Sequence, residues 1–162
     1  MTEPITGGCQ CGAVRYEITG PLDDPHICHC RMCQKAFGSF FAPLVGVLKT
    51  DIRFTRGSMA RFRSSDATDR GFCEKCGTPL SFEYLESKYI AVSIGSLDHP
   101  ERVEPHNQYG LEARMPWFAD LSGLPGSATT EDEMPDKAAF IQATNHQHPD
   151  HDTTEWPMET HR

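Results

Sequence analysis

Gly8-Cys9-Gln10-Cys11-Gly12-Ala13-Val14-Arg15-Tyr16-Glu17-Ile18-Thr19 decides the reading of the fold. It begins with a cysteine pair, closes the pair with glycine, and runs straight into an alternation. From Ala13 to Thr19 that alternation sets Val14, Tyr16 and Ile18 on one face, the signature of a half-buried β-strand. The pair reads as one arm of a metal knuckle. Backbone amides beyond the first thiolate fold back to donate to its sulfur, and the residue after the last thiolate needs a positive φ, which glycine tolerates. Cys73-Glu74-Lys75-Cys76-Gly77 repeats the grammar. Two such arms make a closed tetrahedral site, with Cys9, Cys11, Cys73 and Cys76 as ligands of a structural zinc. Metal in such a site supplies about 10–16 kcal/mol of apparent binding energy in small peptides, enough to decide folding. The competing readings are plain buried thiols or a thioredoxin-type redox pair, and the latter needs a βαβ context that these flanks lack.

Working outward, most segments read as strands. Phe40 to Leu48 is apolar and bounded by Gly38 and Lys49-Thr50-Asp51. Met59 to Arg63 alternates weakly, and Pro79 to Leu85 and Tyr89 to Ile94 flank the link Glu86-Ser87-Lys88. Met32 to Phe37 is the one helical turn in the front two thirds. These patterns predict a mainly β fold of several small antiparallel sheets around a zinc knuckle, with short helical turns. Phe37, Phe40 and Phe41 read as core. From Ser122 the chain turns polar, with a short helix expected over Asp136 to Thr144 and a tail from His146 to Arg162. The expected division is therefore a zinc-binding β domain over residues 1–121 and an irregular C-terminal extension over 122–162. In that extension His146-x-His148-x-x-His151 has a spacing that can take a transition metal, against the plainer reading of a solvated tail.

Cys28-His29-Cys30-Arg31-Met32-Cys33 is the second cluster. In an extended segment Cys28 and Cys30 point to one side and His29 to the other. A following helical turn returns Cys33 toward them. Three thiolates from one short loop leave a fourth tetrahedral position for water or substrate, the arrangement of a catalytic zinc. Such a centre is soft and suited to a thiolate ligand. Arg31 and Lys35 would oppose its charge and draw in an anion. His29, Arg31, Gln34 and Lys35 are the substrate-binding candidates, with Arg63, His106 and Trp117 weaker ones. Two alternatives stay open: a fourth ligand from His26 or His106, which would close the site, and a disulfide between two of the three cysteines.

The chain has 162 residues, 23% of them charged, and a net charge of −8. That balance speaks against general phosphate-backbone binding, so no nucleic-acid partner is expected. The longest apolar run contains Pro43 and Gly46 and is too short to span a bilayer, and Met1-Thr2-Glu3-Pro4 has no signal core. A cytoplasmic location is expected, where reducing conditions disfavour disulfides, and seven cysteines cannot all pair.

Taken together, Gly7-Gly8-Cys9-Gln10-Cys11-Gly12-Ala13-Val14-Arg15-Tyr16, Cys28-His29-Cys30-Arg31-Met32-Cys33-Gln34-Lys35 and Phe72-Cys73-Glu74-Lys75-Cys76-Gly77-Thr78-Pro79-Leu80 resemble the glutathione-dependent formaldehyde-activating enzymes, the GFA domain shared with centromere protein V. The resemblance continues through Gly95-Ser96-Leu97-Asp98 to His106 and Trp117 and covers roughly residues 5 to 120. It implies a fold of the β-tent type and two zincs per chain. Cys9, Cys11, Cys73 and Cys76 would hold the structural zinc, and Cys28, Cys30 and Cys33 the catalytic one. It also implies a carbon–sulfur lyase similar to S-(hydroxymethyl)glutathione synthase, whose partners are a small thiol such as glutathione and a small aldehyde such as formaldehyde. The rival class is a zinc-stabilised module that binds a protein partner without catalysis, and two metals lacking any exchangeable ligand would favour it.

Overall fold

The computed structural model describes residues 4–155. Residues 1–3 and 156–162, which hold the start of the expected domain and the end of the expected extension, lie outside the described residues. In chain order the strands are β1 (Ile5–Gly8), β2 (Arg15–Ile18), β3 (Asp23–Cys28), β4 (Ala42–Leu48), β5 (Ile52–Arg56), β6 (Ala60–Ser65), β7 (Thr68–Phe72), β8 (Pro79–Tyr84), β9 (Tyr89–Ser93) and β10 (Asn107–Tyr109). The helices are α1 (Arg31–Phe37), α2 (Thr130–Glu133) and α3 (Pro135–Ala143). The fold is mainly β, as the alternating segments predict.

Among the described residues the strands make two sheets, a three-stranded one ordered β1-β2-β5 and a seven-stranded one ordered β10-β3-β4-β9-β8-β7-β6. All pairings are antiparallel except β3 with β10, which run parallel with His26 opposite Asn107 and Cys28 opposite Tyr109. The long path from β9 through two 3-10 turns lets β10 re-enter in that direction.

β4 shows how the larger sheet is used. Its residues alternate between two apolar clusters, so both of its faces are buried. Val45 and Val47 join Cys9, Cys11, Val14, Tyr16, Ile18, Cys73 and Leu80. Ala42 and Leu44 join Cys33, with Cys28, Cys30, Phe37 and Phe82 packed around them. The sheet therefore holds the two cysteine groups in separate cores.

The C-terminal extension folds back on the first core. His148 N donates to Gln10 O at 2.7 Å, Asp152 pairs with Arg15 at 2.6 Å, and Arg56 Nη2 donates to Thr153 Oγ1 at 3.0 Å. Arg15 is itself only 3% exposed and also grips Asp98 through two parallel bonds of 2.8 and 2.5 Å. Residues 146–153 thus form a strap across the knuckle.

Candidate metal centres

Cys9 and Cys11 sit in the turn between β1 and β2, and Cys73 and Cys76 in the turn between β7 and β8. The two turns share their closing bonds, although the second has one more residue between its cysteines. Cys9 N donates to Val14 O and Cys73 N to Thr78 O, each at 3.0 Å. Gly12 (φ 72) and Gly77 (φ 78) donate back to Cys9 O and Cys73 O at 3.0 and 2.8 Å. Val14 N reaches Cys9 Sγ at 3.3 Å, the amide-to-sulfur bond expected of a knuckle. All four sulfurs lie within 4.8 Å of one another, with Cys9–Cys11 at 3.5 Å and Cys11–Cys73 at 3.8 Å. Four thiolates about 2.3 Å from one zinc stand about 3.8 Å apart, so the donor set fits a tetrahedral ion.

The titration pattern points the same way. Burial drives the Cys73 thiol up to about 11 and pushes Cys11 up as well. Burial would raise Cys76 too, but donors from Thr78 and the Cys11 amide bring it down to about 6. Four adjacent thiols cannot ionise together without a cation, and a bound ion supplies that compensation.

The triad is built from different parts. Cys28 ends β3, Cys30 caps α1, and Cys33 lies in the first turn of that helix. Cys33 N donates to Cys30 Sγ at 3.4 Å. Their sulfurs lie within 4.8 Å of one another, and among the described residues no histidine or carboxylate joins the group. His26 is turned to the Asp24 carbonyl at 2.7 Å, and His106 is exposed. Burial lifts Cys28 to about 12 and raises Cys33. Cys30 is held below the ordinary thiol value, because donors from Cys33 and its neighbours outweigh its burial. No third cluster of this kind occurs among the described residues; His146, His148 and His151 do not form one.

His29 points away from the triad, as its place between two same-side cysteines requires. It is fully buried, its ring meets Phe118 edge-on at 4.6 Å, and its Nε2 bonds Gln108 Oε1 at 3.1 Å. Gln34 is buried as well, donating to His29 O at 2.7 Å and Ala113 O at 2.9 Å. Arg31 and Lys35 are exposed, and Arg31 donates to Gln34 Oε1 at 2.6 Å. Phe37 packs against the second core, while Phe40 is 40% exposed and meets Trp117 edge-on. Arg63 is exposed and bonded to Asp69.

Beside the triad lies a cavity of about 550 Å³. Its wall includes the three cysteines, Leu44, Phe82, Tyr109 and Arg70, but not His29, Arg31, Gln34 or Lys35. Arg70 is the residue the sequence motifs do not reveal. It is 7% exposed and donates from Nη2 to Cys33 Sγ at 3.6 Å. Its nearest sequence signal is position alone, three residues ahead of Cys73. Gly110 is the other: with φ 67 it lets the chain pass so close that a Cβ there would stand 2.6 Å from Cys30 N.

Residues 4–112 match the family described as glutathione-dependent formaldehyde-activating enzyme. The chain belongs to that family. The matched span contains both cysteine clusters, Arg70 and Gly110. A relative from Schizosaccharomyces pombe, named as an uncharacterized lyase, is 29% identical over 84 residues, covering 51% of this chain and 59% of its own length. The chain thus spans less than two thirds of that curated relative. A crystal structure of a Rhodobacter sphaeroides protein is similar at 23% identity and a TM-score of 0.49, over 64% of this chain and 98% of that one. No helix among the described residues is long and apolar enough to cross a membrane.

Proposed function

We propose that this member of the formaldehyde-activating family is a zinc-dependent carbon–sulfur lyase working on a thiol–aldehyde adduct. One observation carries the reading: three cysteine sulfurs gathered at a cavity wall with no fourth protein ligand among the described residues. In the direction of synthesis the thiol sulfur bonds to the aldehyde carbon, the C=O π pair becomes an oxygen lone pair, and the thiol proton ends on that oxygen. The reverse step breaks the C–S bond and needs no redox partner. The family name points to glutathione and formaldehyde as the reacting pair.

Cys28, Cys30 and Cys33 would hold a catalytic zinc, which when bound supplies thiolate stabilisation and charge control. Cys9, Cys11, Cys73 and Cys76 would hold the structural one. The chain's own residues do the rest. Leu44 and Phe82 line the cavity with apolar surface beside the sulfurs. Arg70 balances the Cys33 thiolate. We assign His29 and Gln34 to holding the triad loop, and Arg31 and Lys35 to the outer side of α1, where they draw anions toward the mouth.

Purified zinc-loaded protein should speed the exchange of formaldehyde with thiols, followed by NMR exchange spectroscopy. Cys30→Ser should lose about one zinc per chain by elemental analysis together with that activity, and keep its far-UV circular dichroism. A Cys30→Ser protein that unfolds, or that stays fully active, removes the catalytic assignment of this cluster.

A further inference from the structure

Arg70 has no carboxylate to answer its charge among the described residues. It stands on β7 opposite Phe82 of β8, with its guanidinium 5.0 Å from the Phe82 ring centre. Among the described residues Nη2 meets the Cys33 sulfur alone, and Nη1 is buried with no hydrogen-bond partner. The two carboxylates of the cavity wall are committed elsewhere. Asp24 accepts from Asn107 at 2.6 Å and Tyr109 at 2.9 Å, and Glu83 is taken by Lys49 and Arg61. A desolvated guanidinium left short of partners is costly, and its planar fork matches the geometry of a carboxylate. Most of the remaining wall is apolar or aromatic, with Leu44, Phe82, Tyr84, Tyr89 and Tyr109, and its other polar groups, His26 and three hydroxyl side chains, include no arginine or lysine.

We propose that the thiol substrate carries a carboxylate two or three carbons from its sulfur on an otherwise apolar or aromatic body, and that Arg70 holds that carboxylate. This rests on the lyase reading of the triad and names its substrate class. The spacing follows from position. Nη2 lies 3.6 Å from Cys33 Sγ, so the cation borders the thiolate cluster itself. A ligand whose sulfur joins that cluster reaches the guanidinium only through a short chain, about two or three carbons at roughly 1.5 Å per bond. The single charge follows from the wall. A second carboxylate would meet Asp24 and Glu83 and no further unpaired arginine, whereas an apolar body would meet four aromatic rings. A tripeptide thiol, whose carboxylates are many bonds from the sulfur, fits that arrangement less well.

The test is calorimetric titration of the zinc-loaded protein with 3-mercaptopropionate, its uncharged counterpart 3-mercaptopropanol, and glutathione. The acid should bind about tenfold to a hundredfold more tightly than the alcohol, the range a charge-assisted hydrogen bond supplies. Arg70→Gln should erase that ratio, and Arg70→Lys should keep part of it, with zinc content and circular dichroism unchanged. Equal binding of acid and alcohol by the native protein overturns the proposal. So does a folded, zinc-replete Arg70→Gln in which both ligands weaken alike, which would make Arg70 a counter-charge to Cys33 only. Tighter binding of glutathione than of the mercapto acid would refute the substrate class. Turnover separates the two readings. Thiol–aldehyde exchange without carboxylate preference sinks this inference alone, and carboxylate-selective binding without exchange of any pair sinks the lyase reading alone.

Discussion

Two glycines with left-handed backbones ask different things of their surroundings. Gly77 has φ 78 with open space where a Cβ would go, so Gly77→Ala meets only the conformational cost, about 1–2 kcal/mol by urea melting. Gly110 has φ 67 and a Cβ there would collide with the Cys30 backbone. Gly110→Ala should therefore cost more than Gly77→Ala and should also weaken metal retention by the triad, measured by competition with a chelator. Equal losses in the two variants, with retention unchanged, would mean that Gly110 does not position Cys30. The contrast marks what a sequence discloses at this scale. Gly12 and Gly77 are readable because their job is tied to the cysteine beside them. Gly110 and Arg70 are not, because each acts on a cysteine far away in the chain and carries no local pattern.

Legibility among the elements follows the same logic. β2, β4, β8 and β9 lie within the segments whose apolar spacing predicted them, and α1 and α3 each fall within a residue of the expected helix. β3 was hidden by Asp23-Asp24-Pro25, since proline and paired acids argue against a strand, yet Asp24 earns its place by bonding Asn107 and Tyr109 of β10. β7 was hidden because its inward residues are Thr68 and Arg70, polar groups of which Thr68 meets two serine hydroxyls and Arg70 a single thiol. β5 alternates, but over five residues with two arginines. The strap is legible only as polar sequence, because what docks it is charge. Burial foremost, with Arg15 and Arg56 adding to it, holds His148 below the ordinary histidine value. Burial would raise Asp98, but Arg15 and Thr6 bring it below the ordinary carboxylate value. For both groups the unfolded chain takes up protons more readily than the folded one, so stability is present at high pH and lost on acidification. His148 titrates first. Amide-exchange protection of residues 146–153, corrected for intrinsic rates, should fall from about pH 7.5 to about pH 5.5, before the Asp98 window opens. A strap equally protected across that range would show that His148 does not set its docking.

At the level of the whole molecule the two clusters belong to different cores and differ in what they join. The knuckle ties the β1–β2 turn to the β7–β8 turn, whereas the triad closes one short loop. Chelation should therefore proceed in two stages. The triad should release its metal with little change in circular dichroism, and the knuckle should release its metal together with global unfolding, because structural zinc in such sites is worth about 10–16 kcal/mol. Simultaneous loss of both metals with the fold would show that the triad is also structural. The division of the sulfurs into four and three was legible from spacing alone. Their placement on opposite faces of β4 was not, because it depends on which strands pair across the sheet.

The unequal reach of the two clusters bears on how the protein is made. Synthesis runs from the N-terminal side, so all three triad cysteines are out once residue 33 has left the ribosome, while Cys9 and Cys11 must wait for Cys76. Throughout that interval the nascent chain carries all three sulfurs of one group, still without Arg70 and Gly110, and only two of the four sulfurs of the other. An ion captured early would lodge at the triad, and the more demanding site would be supplied last. Scarce metal during translation would then fill the compact group before the one that ties two distant turns together.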